Sequence, residues 1–206
     1  MIRDIIWDFD GTLFDTYPST VEAFSKALRE NGIKETKNNI LNYLKISEGC
    51  AVSHFKDKYG LGEVFTNSFK QHKKNIGPEA AKPFPFAVEV CKRIADLGGR
   101  NYILTHRGAS TIKILQHYGI LEYFQEVITK HHGFKRKPDP EGFLYLIDRY
   151  KINKSNALVV GDRDYEILGG KAAGIKVCLY NTNNIESTTA PDFYIGSLSK
   201  LFDIIN

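Results

Sequence analysis

The feature that most constrains this chain is a pair of aspartates, Asp8 and Asp10, at the end of a short apolar run. The run, Ile5–Phe9, is typical of a buried strand. Alternate side chains of a strand point to the same face, so the two carboxylates are expected to project together from one strand end. Open α/β sheets bind their ligands at the carboxyl ends of their strands. The pattern therefore predicts a functional site here, although aspartate pairs are also common as turns and helix caps.

Short apolar runs alternate with helical patterns along most of the chain, which is typical of a parallel α/β sheet. Six runs are interpreted as strands: Ile5–Phe9, Tyr102–Thr105, Val127–Thr129, Ala157–Gly161, Ile175–Tyr180 and Phe193–Ile195. One helix is expected to end at Gly98, and another to begin with Asp139 as its cap and Pro140 as its first residue. A third should run from about Tyr165 to Ala173. The predicted fold is α/β, a Rossmann-like parallel-sheet core sandwiched by helices.

One segment, residues 17–82, breaks this alternation because it contains helical patterns and no convincing strand. Ser19 and Glu22 have the spacing of a capping box at the start of its first helix. Further helical patches are expected at Lys37–Leu44, Ala51–Tyr59 and Val64–Asn75. We therefore predict a discontinuous core domain, residues 1–16 plus 83–206, with a small all-helical cap domain inserted at 17–82.

Composition, charge and cysteine spacing argue against a nucleic-acid-binding, disulfide-rich or membrane-spanning protein. Hydrophobic residues make up 42% and charged residues 25% of the 206 residues, which is ordinary for a globular protein. The formal charge of +4 is small and no nucleic-acid-binding motif accompanies it. The three cysteines form no CxxC pair, which favours a reducing compartment. Since no signal peptide and no membrane-spanning run is recognised, we expect a cytoplasmic protein with neither nucleic-acid nor membrane partners.

The two aspartates offer a specific chemistry. A carboxylate can attack phosphorus and form an acyl phosphate, which splits one displacement into two steps. A second, separately tuned carboxyl can give the leaving oxygen its proton and later recover one from water. Gly11 would permit a tight turn that brings backbone amides towards a phosphate.

Two later segments carry groups that suit phosphate binding. Thr105 follows a predicted strand, where its hydroxyl can donate to a phosphate oxygen, cap the following helix, or both. Arg107 either helps to hold an anion or is simply exposed. Lys137, in a proline-rich turn before a helix, can neutralise charge on a transferring phosphoryl group.

A fourth strand end is acidic. Asp162 directly follows the run Ala157–Gly161 and is the best candidate for a metal ligand, because Mg²⁺ prefers carboxylate oxygens. Glu166 can bind the ion directly or through water, and Asp164 is interpreted as a cap of the following helix. Four strand ends thus each supply one part of a single site.

In this order, these residues resemble the haloacid dehalogenase superfamily of phosphohydrolases. Asp8–Leu13 is similar to the first motif of that family, Thr105 to the second, Lys137 to the third and Gly161–Glu166 to the fourth. The resemblance covers the chain from residue 4 to about 180 and includes a helical cap inserted after the first motif.

The resemblance implies a role for each motif residue. Asp8 would be the nucleophile and Asp10 the general acid/base, while Thr105 and Lys137 would contact the phosphate. The implied cofactor is Mg²⁺, and its implied ligands are Asp8, the backbone carbonyl of Asp10 and Asp162, with Glu166 nearby.

The predicted substrate contacts lie in both domains. They are Gly11, Thr12, Thr105, His106, Arg107 and Lys137 in the core, and Lys45 in the cap. Lys45 is included because similar capped enzymes insert a loop between early cap helices into the active site. His106 stands where this subgroup often has asparagine, and Glu166 where aspartate is usual.

The resemblance also narrows the reaction. Dehalogenases of the family lack an aspartate at the position of Asp10, so its presence favours phosphoryl transfer. The predicted function is a Mg²⁺-dependent phosphatase acting on a small phosphorylated metabolite through an aspartyl-phosphate at Asp8. A phosphosugar mutase of the β-phosphoglucomutase type is the alternative, and a binding protein without activity is a third possibility. The chain is expected to be a monomer or a weak homodimer.

Overall fold

The computed structural model describes residues 2–180 and 189–205, which divide into two compact units. Thr16–Ala81 forms the helical unit, and the described residues before and after it form the core unit. The strands are β1 (Asp4–Trp7), β2 (Phe14–Asp15), β3 (Lys82–Pro83), β4 (Arg100–Leu104), β5 (Phe124–Ile128), β6 (Ala157–Gly161), β7 (Lys176–Tyr180) and β8 (Phe193–Ile195). The helices are α1 (Tyr17–Glu30), α2 (Lys37–Ile46), α3 (Glu48–Tyr59), α4 (Glu63–Lys74), α5 (Ala87–Asp96), α6 (Ser110–His117), α7 (Glu141–Tyr150), α8 (Asp164–Ala172) and α9 (Leu201–Ile205).

Six strands form one parallel sheet in the order β5-β4-β1-β6-β7-β8. This is the Rossmann order, with β1 at the point where the strand order reverses. Trp7 at the end of β1 lies level with Ile103 of β4 and Val160 of β6. The segments that follow these three strands therefore leave the sheet at the same edge, and the predicted α/β fold is confirmed.

Burial explains why the residues of β1 that follow Asp4 are apolar. Ile5, Ile6 and Trp7 are fully buried, so both faces of the strand are covered. Burial of each such side chain contributes about 1.5–3 kcal/mol. Helix α8 packs closely on the sheet because it carries Gly170, where a Cβ would lie 2.6 Å from Cγ1 of Val177.

The helical unit has its own apolar core. The ring of Phe24 in α1 packs against the rings of Phe55, Phe65 and Phe69 at centroid distances of 5.3, 5.2 and 4.8 Å. These contacts join α1, α3 and α4, and the tilted or edge-on ring geometry is the one that aromatic pairs prefer. Whether this unit acts as a cap domain stays a prediction.

The predicted capping box at Ser19 and Glu22 is wrong. Helix α1 begins at Tyr17, and Ser19 Oγ donates to the carbonyl of Thr16 at 3.1 Å instead of capping the helix. Pro18 explains the earlier start, since proline fits the first helical turn and has no amide to be satisfied.

The starts of two core helices also differ from the prediction. Helix α7 begins at Glu141 with Pro140 as its N-cap residue, although Asp139 Oδ1 still accepts from the Glu141 amide at 3.0 Å. Asp164 is the first residue of α8 and not its cap, which is Arg163. Strands β2 and β3 were not predicted, because two-residue strands have no readable period. Within the described ranges, no helix is long and apolar enough to span a bilayer.

Candidate active site

Asp8 lies at the carboxyl end of β1, and the backbone of that strand fixes its position. Its amide donates to the carbonyl of Val160 at 2.9 Å, which continues the β1–β6 ladder one residue past the strand. Its side chain is only 2% exposed. Asp8 Oδ1 accepts from Lys137 Nζ at 2.5 Å, so two predicted site residues that are 129 positions apart in the chain meet directly.

Lys137 is held by three acceptors. Its Nζ donates to Asp8 Oδ1, to the carbonyl of Leu104 at 3.0 Å, and lies 2.7 Å from Glu166 Oε1. Burial alone would lower the pKa of this ammonium, but the two carboxylates raise it above its usual value. Lys137 is therefore a buried cation that offsets part of the negative charge of the site.

Three carboxylates form a cluster that suits a divalent cation. One oxygen from each of Asp8, Asp162 and Glu166 lies within 4.8 Å of the others. Asp8 Oδ2 and Glu166 Oε2 are buried and have no hydrogen-bond partner among the described residues. Burial raises the pKa of Asp8 to about 6 and that of Asp162 to about 8, with the neighbouring carboxylates adding to both shifts. A hard cation with oxygen ligands would satisfy these atoms and relieve the repulsion between them.

Arg163 lies beside this cluster and is a neighbour of the site that the sequence motifs did not indicate. Its guanidinium lies 3.5 Å from Glu166 Oε1, 3.6 Å from Asp162 Oδ1 and 3.9 Å from Asp8 Oδ2. Its position between Asp162 and Asp164, directly after a predicted strand, is the signal in the sequence that could have indicated this place.

Asp10 is not a member of the carboxylate cluster that Asp8 forms with Asp162 and Glu166. Its Oδ1 accepts from Arg107 Nη1 at 2.7 Å, and its side chain is 29% exposed. The two aspartates of the dyad thus emerge from one strand end into different environments. Such a division is what allows two carboxylates to take separate chemical roles.

Thr105 is buried directly after β4, but its interpretation as a helix cap is wrong. Its Oγ1 accepts from the amide of Arg107 at 3.1 Å, which forms a short turn. Helix α6 begins only at Ser110 and shows no side-chain cap. The hydroxyl is nevertheless at the strand end where phosphate binding was predicted.

The turn after the dyad forms around Gly11, whose φ of 85° explains why glycine is used there. The Gly11 amide donates to the carbonyl of Phe14 at 2.9 Å. Thr12 is fully buried, and its Oγ1 has no hydrogen-bond partner in the described part of the chain. Phosphate contacts from Gly11 and Thr12 stay predictions.

Lys45 lies in the last turn of α2 within the helical unit and is half-buried. Only Ser47 separates α2 from α3, so the predicted loop is a one-residue connection in which Ser47 Oγ accepts from the Cys50 amide at 2.9 Å. A substrate contact from Lys45 stays a prediction.

His106 makes a backbone contact that the sequence did not reveal. Its Nε2 accepts from the Lys137 amide at 2.8 Å, so it anchors the turn that carries Lys137. Burial, and then the nearby cations Lys137 and Arg136, lower the pKa of His106 from 6.5 to about 3. Its ring is consequently neutral, with the proton on Nδ1. A substrate contact from His106 stays a prediction.

Replacing His106 with glutamine is expected to make stability less sensitive to acid. Below pH 6.5 the imidazole of His106 is protonated in the unfolded chain, whereas in the folded protein it stays neutral until about pH 3, because its pKa is lower there. As the pH is lowered through this range, the free energy of unfolding of the wild type should therefore fall relative to that of His106→Gln. The fall should be at most about 1.4 kcal/mol per pH unit. Urea unfolding at several pH values measures the difference.

The control is His117→Gln, which removes an exposed histidine and should follow the wild-type curve. A His106→Gln protein whose unfolding free energy keeps the wild-type pH dependence would contradict the assignment of His106 as a half-buried, neutral anchor.

Comparisons with known proteins identify the family of the chain. The haloacid dehalogenase-like hydrolase family matches residues 5–180. The phosphoglycolate phosphatase of Vibrio vulnificus (strain YJ016) is 26% identical over 223 residues, covering 99% of this chain and 96% of that protein. A relative from Clostridium perfringens (strain 13 / Type A), named as a pyrophosphatase, is 26% identical over 218 residues, covering 100% and 98%.

A solved structure is similar over the same length. The hydrolase from Streptococcus pneumoniae TIGR4 shares 31% identity with a TM-score of 0.70, covering 99% of this chain and 98% of that one. The family resemblance inferred from the motifs is confirmed. Because the family matches most of the chain, from the first strand to β7, the protein belongs to the haloacid dehalogenase-like hydrolases.

Proposed function

We propose that this hydrolase is a Mg²⁺-dependent phosphatase that cleaves a small phosphomonoester through an aspartyl-phosphate on Asp8. The observation that carries the proposal is the buried carboxylate of Asp8. It contacts Lys137 through Oδ1, belongs to the three-carboxylate cluster, and has a second oxygen, Oδ2, with no hydrogen-bond partner among the described residues. Family membership and relatives named phosphoglycolate phosphatase support it.

The carboxylate cluster fits the proposed cofactor because it offers only oxygen ligands, two of which have no hydrogen-bond partner among the described residues. Asp8, Asp162 and Glu166 would hold Mg²⁺, and the backbone carbonyl of Asp10 is a further ligand in this proposal. When bound, the ion would neutralise negative charge on the phosphoryl oxygens.

In the first step, a carboxylate oxygen of Asp8 attacks phosphorus, and the bond from phosphorus to the leaving oxygen breaks. Protonated Asp10 gives its proton to the leaving oxygen, which departs as an alcohol. Lys137 offsets the charge on the phosphoryl group, and Thr105 donates its hydroxyl to a phosphoryl oxygen. The burial of Asp8 and Lys137 strengthens these electrostatic effects.

In the second step, water attacks the phosphorus of the aspartyl-phosphate. The carboxylate of Asp10 takes a proton from that water, the bond between phosphorus and Asp8 breaks, and inorganic phosphate leaves. Asp8 returns as a carboxylate and Asp10 as an acid, so the enzyme is ready for another turnover.

The substrate in this proposal is a small phosphorylated metabolite. The names of the relatives make small phosphorylated acids the first compounds to test. A capping role for the helical unit, with Lys45 contacting substrate, belongs to the same proposal, as do a cytoplasmic location and a monomeric or weakly dimeric state.

A phosphate-release screen with and without Mg²⁺ tests the function. The panel should contain phosphoglycolate, sugar phosphates, nucleotide monophosphates and pyrophosphate, with EDTA-treated enzyme as the metal-free control. Release of phosphate from a monoester that needs Mg²⁺ is expected. Absence of turnover across the panel by folded, Mg²⁺-supplied protein would refute the proposal, and isomerisation of a sugar phosphate that requires a bisphosphate primer would indicate the mutase instead.

A further inference from the structure

We propose that Arg107 is a positioning residue, which holds the carboxyl group of Asp10 for proton transfer and does not bind the substrate. The inference rests on the proposed function, because it concerns the residue assigned there as general acid and base. It replaces the sequence prediction that Arg107 contacts an anion.

The guanidinium of Arg107 is fixed from several sides. Nη1 donates to Asp10 Oδ1 at 2.7 Å, and Nε donates to Ser110 Oγ at 2.9 Å. The carbon at the centre of the guanidinium lies 5.9 Å from the centroid of the Phe9 ring. The side chain is only 10% exposed, whereas Asp10 is 29% exposed. A cation with these neighbours is already engaged and is poorly placed to accept a new anion.

The backbone of Arg107 is tied down as well. Its amide donates to Thr105 Oγ1 at 3.1 Å, and its carbonyl accepts from the Lys130 amide at 3.0 Å. Arg107 is thus anchored to the ends of two neighbouring strands, β4 and β5. Because its backbone is fixed there, its guanidinium can hold the Asp10 carboxyl group in one position. Groups that do chemistry need such support, because a displacement of about 1 Å can cost about 100-fold in rate.

The contact also distinguishes the two oxygens of Asp10. Arg107 engages Oδ1, so the proton given to the leaving oxygen, and later recovered from water, is carried on Oδ2. Loss of Arg107 would remove the 2.7 Å contact that holds Oδ1 of Asp10, and proton transfer would then slow more than phosphate binding.

The test is the leaving-group dependence of Arg107→Ala. For an alkyl phosphate from the substrate screen, kcat/KM should fall about 10- to 100-fold, within the range that general acid catalysis contributes. For p-nitrophenyl phosphate, whose leaving group needs little protonation, kcat/KM should change less than about 3-fold. Slow breakdown of the aspartyl-phosphate should then appear as a burst of nitrophenolate.

Four further variants separate positioning from other roles. In an Asp10→Asn background, Arg107→Ala should cost little more, because the group that it positions is already inactive. Ser110→Ala keeps the cation but removes one anchor, so it should shift the alkyl phosphate reaction in the same direction by less. Arg107→Lys should recover only part of the rate lost in Arg107→Ala, because an ammonium keeps the positive charge but lacks the planar fork of the guanidinium. Lys113→Ala removes an exposed cation one turn along α6 and should leave the rates unchanged.

An equal loss with both substrates, together with a raised KM, would show that Arg107 binds the phosphate and would overturn the inference. So would a full additional loss in the Asp10→Asn background. If wild-type enzyme hydrolyses no phosphate ester, the proposed function has failed instead, and this outcome is distinguishable because it precedes any comparison of variants.

Discussion

Asp8→Asn is expected to lower kcat by at least about 10⁴-fold, because it removes the only oxygen charge that the proposed mechanism uses to attack phosphorus. The protein should remain folded. Burial raises the pKa of Asp8 to about 6, so the ionised carboxylate is costly in this position and a neutral amide of the same shape is tolerated. Lys137 keeps Glu166 as a partner at 2.7 Å. Steady-state kinetics and a thermal unfolding curve measure the two parts of the prediction.

Asp4→Asn is the matched control, since Asp4 is a buried aspartate at the opposite end of the same strand. It pairs with Arg100 at 2.7 Å, so its loss should reduce stability by about 1–3 kcal/mol while kcat is retained. Near-normal turnover by purified Asp8→Asn, or an equal loss of kcat in Asp4→Asn, would rule out Asp8 as the nucleophile.

The sequence was sufficient to predict which strand ends meet. Runs such as Ile5–Phe9 and Ala157–Gly161 indicate parallel strands, and parallel strands bring their carboxyl ends to one edge of a sheet. The contact of Asp8 with Lys137 and the approach of Asp162 and Glu166 follow from that topology. Boundaries were less predictable, because proline and turn residues move a helix start by one to three positions, as at Pro140 and Pro18.

The partners of individual polar groups could not be predicted in the same way. Whether His106 faces a substrate or the Lys137 amide depends on the path of a turn 31 residues later in the chain. The pairing of Asp10 with Arg107 likewise joins the segment after β1 to a turn 97 residues later in the chain. Such choices are made by packing between distant segments, which leaves no periodic signal in the sequence.

Asp162→Asn is expected to abolish the stabilisation of the protein by Mg²⁺. At a metal concentration about 100 times the dissociation constant, binding to the wild type should contribute about 2.7 kcal/mol, equivalent to a rise in Tm of about 5–10 °C. The variant loses one carboxylate of the cluster that includes Asp8 and Glu166, so its Tm should not respond to the ion. Thermal unfolding with Mg²⁺ and with EDTA measures this without any substrate.

The same substitution should raise stability when no metal is present. Burial raises the pKa of Asp162 from 3.8 to about 8, so the folded protein holds this proton more tightly than the unfolded chain does. The contribution of protonated Asp162 to the stability of the folded protein is complete below about pH 4 and is lost as the pH rises through 8. Asparagine does not titrate, so the variant has no such loss. Between pH 5 and pH 8, the free energy of unfolding of metal-free Asp162→Asn should therefore increase relative to that of the wild type.

Asp164→Asn, outside the cluster, is the control and should keep the Mg²⁺ response. A Mg²⁺-induced rise in Tm that survives in Asp162→Asn would place the ion elsewhere.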